Sequence, residues 1–300
     1  MVTSYLVVYN TVSLLCWGVV LFKTVSFIVN RPAIPHIDNT KILPTTASAK
    51  LSSLLSLGAT KIQHTVSRSH ATTAGIPIPP TGIISKLKTY LGGSYVYEDL
   101  GPWVVLTQTG ALLEVAHALL GWVRSSAFTV AMQVASRIFM VWGIVETRPE
   151  THFHPLFTTM VLAWSVTECV RYAFYACALF KVEPRILTWL RYNTFYILYP
   201  LGAGSEAFLM FSTLPTLKTL VPSIKSVLSY SRKGKMSVWL KALSGRKAGQ
   251  PWGAYDFMIL AFFCMWWPAL YVLYTHMIKL RRKVYGKGGK QIGSAPKPRR

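Results

Sequence analysis

Acidic residues are what this sequence has least of. Its 300 residues hold 10 Asp and Glu against 32 Lys and Arg, and only 14% are charged, whereas a soluble domain carries about 25%. With 52% hydrophobic residues and a mean hydropathy of +0.36, gathered into long runs, this argues against an ordinary soluble globule. Cysteine is sparse too. Cys16, Cys169, Cys177 and Cys264 lie in apolar segments without CxxC spacing, so they read as small buried hydrophobes, not as a metal site or a disulfide framework. There is no Asn-x-Ser/Thr sequon to mark a lumenal loop. No glycine-rich phosphate loop follows a strand, and no nucleophile elbow is present. His117 is the one histidine well placed inside an apolar run. No metal set is therefore expected, and no cofactor is implied.

What is present is a series of apolar runs long enough to cross a bilayer. They fall at about 5–29, 103–123, 127–145, 156–180, 189–212 and 255–278. The expected fold is an all-α integral membrane protein, a single bundle of six transmembrane helices. The first run lacks a basic flank and a small-residue cleavage site, so it reads as a retained span and not a cleaved signal. Residues 36–97, rich in Ser, Thr, Gly and Pro, read as a flexible inserted loop, with a short interfacial helix expected around 47–63. Lys and Arg concentrate in the loops and in the tail 279–300, which holds nine and no acid. Six spans put both termini on one side, and the basic tail favours the cytosol. The loop 213–253, with eight basic residues, votes the other way, but long loops count less. Basic loops beside apolar spans suit lipid headgroups or a phosphorylated substrate, and nucleic acid is not an expected partner.

A few polar groups interrupt the runs, and such groups usually face a bundle interior and pair. Glu114 and His117 are i, i+3 apart, as are Glu168 and Arg171, while Gln133 and Arg137 are i, i+4, so each couple shares a helix face. Arg137 and Arg171 are expected to be neutralised by Glu114 and Glu168 of neighbouring spans. The stretch Leu190–Phe211 stands apart. It carries Tyr192, Tyr196, Tyr199 and Glu206, with a break expected at the Pro-Leu-Gly-Ala-Gly segment 200–204. A carboxylate at that depth costs ~2.5–3.5 kcal/mol, and its own span offers it no nearby base. Tyr199 and Glu206, seven apart, lie on one helix face with ~10 Å of rise between them. A pair of this kind suits proton transfer. A proton-coupled transporter or an idle lipid-binding protein would also carry buried carboxylates.

The segments YLVVYNTVSLLCW near the start, LLEVAHALLGWVRSSAFTVAMQVASRIFMVWGI at 112–144, WSVTECVRYAFYA at 164–176 and LRYNTFYILYPLGAGSE at 190–206 resemble the very-long-chain 3-hydroxyacyl-CoA dehydratases, also called protein tyrosine phosphatase-like. The resemblance implies a six-span endoplasmic-reticulum enzyme of fatty-acid elongation that removes water from a (3R)-3-hydroxyacyl-CoA. It implies a catalytic Tyr and Glu at Tyr199 and Glu206. Glu114, His117, Arg137, Glu168, Arg171 and Tyr192 then become candidate supporting groups. Arg124, Lys181, Arg185 and the tail become candidate contacts for the CoA phosphates, and other elongation enzymes and membrane lipids become candidate partners. The phosphatase label finds no chemistry here, because no Cys is followed by the Cys-x5-Arg phosphate loop. The segment 36–97 has no counterpart in the resemblance.

Overall fold

The computed structural model describes residues 2–30, 90–123, 125–182, 184–215 and 252–285. Among them, every regular element is helical. Helix α1 (Val2–Asn30) leads to α2 (Leu100–Gly110) and α3 (Leu112–Leu119). Helix α4 (Ala127–Ile138) continues as a π-helical turn, Phe139–Val145. Then come α5 (Pro155–Leu179), α6 (Arg185–Asn193), α7 (Phe195–Ser212) and α8 (Ala254–Tyr285). Among the described residues, three segments are long and apolar enough to cross a membrane: Val2–Asn30, Ala127–Val145 and Ala254–Tyr285.

Helix α5 is the central post. It packs against α1 on one side and α7 on the other, and α7 in turn packs against α8. The core they enclose holds Trp17, Val20, Leu100, Met140, Ile144, Phe157, Met160, Trp164, Tyr172 and Leu209. The outward faces of α1 and α8 are equally apolar: Val12, Leu15 and Phe22 on one, Tyr271 and Val272 on the other, are exposed. Apolar surface on both sides of a helix fits a lipid solvent and not water.

Two sequence expectations change. The break expected at 200–204 does not occur: α7 runs unbroken through Pro200. The interruption lies upstream at Thr194, whose hydroxyl and N–H both donate to the Leu190 carbonyl at 2.7 and 3.0 Å and close α6. The run 103–123 is likewise divided at Ala111, between α2 and α3.

Residues 90–97, grouped by composition with the inserted loop, are packed structure. The Tyr90 hydroxyl donates to the Ile28 carbonyl at 2.9 Å. Ser94 and Thr158 share a hydrogen bond of 2.7 Å. The Tyr95 ring lies so close over Gly101 that a Cβ there would collide with it. Residues 36–89, including the helix expected at 47–63, lie outside the described residues, as do 216–251 and the tail from 286.

The Tyr95 ring also stacks on His152, with centroids 3.6 Å apart and planes 1° from parallel. His152 sits in the short connection Pro149–Phe153, outside the apolar segments, and its Nε2–H donates to the Val145 carbonyl at 3.0 Å. Burial there pushes the imidazole down to about 4, against the hydrogen bond to Val145. A group whose folded value lies below its unfolded 6.5 stabilises the fold fully above pH 6.5 and loses that contribution as the pH falls towards 4, a loss of about 3 kcal/mol. The thermal midpoint in detergent should therefore fall between pH 6.5 and 4, and His152→Gln should flatten that fall. An equally steep decline in the variant would place the acid sensitivity elsewhere.

Candidate active site

Glu206 projects from α7 into the junction of α5, α7 and α8. The Trp164 Nε1–H of α5 donates to its Oε1 at 2.5 Å, and the Trp266 Nε1–H of α8 donates to its Oε2 at 3.1 Å. Among the described residues the carboxylate has no basic residue in direct contact, as its own span suggested, but it is not without partners. Two neutral indoles supply the donors that a charged neighbour would otherwise supply. Gly202 lies buried against α5, where an added Cβ would come 3.5 Å from that of Ala163, and Ser205 bonds Thr159 at 2.8 Å. These contacts fix the face that α7 turns towards α5.

Tyr199 sits two turns before Glu206 on the same unbroken helix. Its ring meets that of Phe195 edge-on at 6.3 Å, and among the described residues its hydroxyl makes no hydrogen bond. No bond joins it to Glu206. What the two share is a charged neighbour, because Arg137 acts electrostatically on both. The Arg137 guanidinium also lies over the Trp164 ring, 5.3 Å from its centroid.

Arg137 leads into a second polar group. It pairs with Glu168 Oε1, and Glu168 Oε2 lies 2.7 Å from Arg171 Nη2. Arg171 Nη2 donates to Glu114 Oε1 at 2.6 Å and to the Tyr172 hydroxyl at 3.0 Å, while the Tyr172 hydroxyl donates to Glu114. Both arginines are thus neutralised by Glu114 and Glu168, as expected. Glu168, 1% exposed, serves two guanidiniums at once.

The remaining candidates stand elsewhere. His117 bonds the Tyr5 hydroxyl at 3.0 Å and packs edge-on against Tyr5 and Tyr9 of α1. Tyr192 packs against Tyr285 of α8 with centroids 6.5 Å apart. Gln133 is exposed. Lys181 ends α5 in a left-handed conformation, φ 59°. Arg185 opens α6 and lines an open apolar cavity of about 400 Å³ with Ile186, Trp189 and Tyr285. Arg124 lies outside the described residues. Sequence reasoning missed Trp164, Trp266 and Tyr172. The available signal was the donor-only chemistry of indole near a buried carboxylate, but which of ten tryptophans reaches Glu206 is a matter of packing.

Residues 108–287 match the family described as Protein tyrosine phosphatase-like protein, PTPLA. The chain belongs to that family. The PTPLA match begins beyond the packed segment 90–97 and takes in α3 to α8, including both faces of the Glu206 junction. Among curated relatives, a Schizosaccharomyces pombe protein named "Probable very-long-chain (3R)-3-hydroxyacyl-CoA dehydratase" is 37% identical over 193 residues, 63% of this chain and 76% of that protein. The Homo sapiens very-long-chain (3R)-3-hydroxyacyl-CoA dehydratase 2 is 32% identical over 215 residues, 71% of this chain and 76% of its own. The Oryza sativa dehydratase PASTICCINO 2B is 43% identical over 128 residues, 42% of this chain and 58% of its own. No solved structure matches.

Proposed function

We propose that this PTPLA protein is a six-span enzyme of the endoplasmic-reticulum membrane, both termini cytosolic, that dehydrates very-long-chain (3R)-3-hydroxyacyl-CoA to the trans-2-enoyl-CoA. The observation that carries the reading is the pair on α7: a tyrosine hydroxyl with no hydrogen-bond partner among the described residues, two turns from a carboxylate held by neutral donors. Relatives named as dehydratases support the same reaction. Dehydration needs a base for the C2 proton and an acid for the departing C3 hydroxyl. Glu206 takes the first role and Tyr199 the second. Arg137, the charge that acts on both, would stabilise negative charge that develops between them. The acyl chain runs among the apolar helices. Lys181 and Arg185, with Arg124 and the tail, meet the CoA phosphates at the cytosolic face. Other elongation enzymes are the partners that would supply the substrate and consume the product.

Purified protein in detergent or vesicles, given a synthetic (3R)-3-hydroxyacyl-CoA, should yield the trans-2-enoyl-CoA. Absence of product from folded protein, across a range of chain lengths, would leave lipid binding without catalysis as the function.

The inserted segment is expected to be dispensable for this chemistry. The Tyr90–Ile28 hydrogen bond holds its two ends together, so a short linker can replace residues 36–89. Replacement by a Gly/Ser linker should leave turnover near wild type. Extending the deletion to 97 should lower stability by removing Tyr95 from the core. Loss of turnover from the shorter replacement alone would show that the segment shapes the site.

A further inference from the structure

The two indoles on Glu206 do more than satisfy a buried carboxylate. We propose that Trp164 and Trp266 are positioning residues of the reaction: by each donating to a different oxygen, they fix the plane of the Glu206 carboxylate and hold it ready to take up the C2 proton. This rests on the dehydratase reading above and adds the groups that orient its base.

The geometry carries the argument. The terminal torsion of a glutamate is broad and roughly two-fold, so a single donor leaves the carboxylate free to swing about that bond. Here the donors come from separate helices, α5 and α8, and meet Oε1 at 2.5 Å and Oε2 at 3.1 Å. Both indoles are themselves held. Trp164 is 2% exposed, with the Arg137 guanidinium over its ring. Trp266 packs against the hydrophobic core. An indole N–H donates and cannot accept. Neither tryptophan can therefore take a proton from Glu206, and each leaves its oxygen with a further lone pair for substrate. The Tyr199 hydroxyl, without a partner among the described residues, keeps its proton for the leaving group.

The C2 proton passes to Glu206, and the C2–H electron pair becomes the second bond between C2 and C3. The C3–O bond breaks with its pair on oxygen, which takes the Tyr199 proton and departs as water. The proton on Glu206 returns to the Tyr199 phenolate through water, which resets the site.

The test replaces Trp266 by 3-benzothienylalanine, which keeps the bicyclic shape and exchanges N–H for sulfur. Losing one donor to a charged group should lower kcat about tenfold or more, with KM changed less than about twofold because the substrate contacts remain. The thermal midpoint should fall by no more than the loss of one such hydrogen bond, with the protein still folded. The same exchange at Trp164 should act likewise. An infrared measurement gives a readout independent of turnover. The carboxylate stretch lost in Glu206→Gln should shift when either N–H is removed. Unchanged kcat in both isosteric variants, a rise in KM alone, or an unmoved carboxylate band would overturn the proposal while leaving the dehydratase reading intact. Wild-type protein without turnover would overturn both.

Discussion

Tyr199→Phe and Glu206→Gln are each expected to lower turnover of a (3R)-3-hydroxyacyl-CoA by about 10²–10⁴-fold, the range that a positioned acid or base supplies. Each removes one functional group with little change in volume. Neither should empty the core. Tyr199 loses a hydroxyl that bonds nothing among the described residues. The amide introduced by Glu206→Gln keeps one oxygen that can still accept from one indole N–H, while its NH2 leaves the other indole without an acceptor. Abundance in the membrane and thermal midpoint should therefore stay close to wild type for Tyr199→Phe and fall modestly, by the loss of about one hydrogen bond, for Glu206→Gln. The double variant should be little worse than the poorer single one, because groups that act in one step are not additive. Near-wild-type turnover in either single variant would remove that residue from the chemistry.

The second large effect is on stability. Glu168→Ala strands the Arg137 guanidinium and leaves Arg171 with Glu114 as its one acid, and breaking a buried pair by removing one partner costs ~3–5 kcal/mol. Neither arginine can shed its proton instead. Protein level and thermal midpoint in detergent should fall first, with activity falling as the folded fraction does. Arg171→Ala should behave similarly, since it leaves Glu114 with Tyr172 alone and Glu168 with Arg137 alone. The double variant Glu168→Ala/Arg171→Ala should be milder than the sum of the two. An abundant, heat-stable but inactive Glu168→Ala protein would move the active site towards α5.

Much of this was legible in the residues. The long apolar runs of α1 and α8 are visible as runs because little interrupts them: α1 is broken by Asn10, Lys23 and small polar groups, and residues 257–274 of α8 hold no charged or amide side chain. Tyr199 and Glu206 could be placed on one face because seven residues are close to two helical turns. The neutralisation of Arg137 and Arg171 followed from the cost of leaving them alone in an apolar medium. What escaped was decided in three dimensions. Pro200 and two nearby glycines look like a stronger break than Thr194, yet the helix passes through them and stops where a threonine closes on Leu190. The sequence did not say which acid serves which arginine, and Glu168 serves two because α4 brings Arg137 to the same side of α5. Glu206 looked unpartnered because its span holds no nearby base, and indoles from two other helices are invisible to any count along that span. Residues 90–97 shared the composition of the loop before them, and only their contacts in three dimensions, Tyr90 with Ile28, Ser94 with Thr158 and Tyr95 with His152 and Gly101, separate them from it.

The ion pair between α4 and α5 also bears on how the chain is made. Arg137 and its acid are 31 residues apart, and α4 carries no acid of its own. At a synthesis rate of about 5–20 residues per second, Glu168 leaves the ribosome roughly 2–6 s after Arg137. Throughout that interval the nascent α4 holds a cation with no counter-charge, so it is best kept beside the insertion machinery until α5 arrives. Helix α5 brings its own Arg171 along with Glu168 and enters closer to neutral. On the six-span reading proposed above, the two helices are expected to enter the bilayer as a unit.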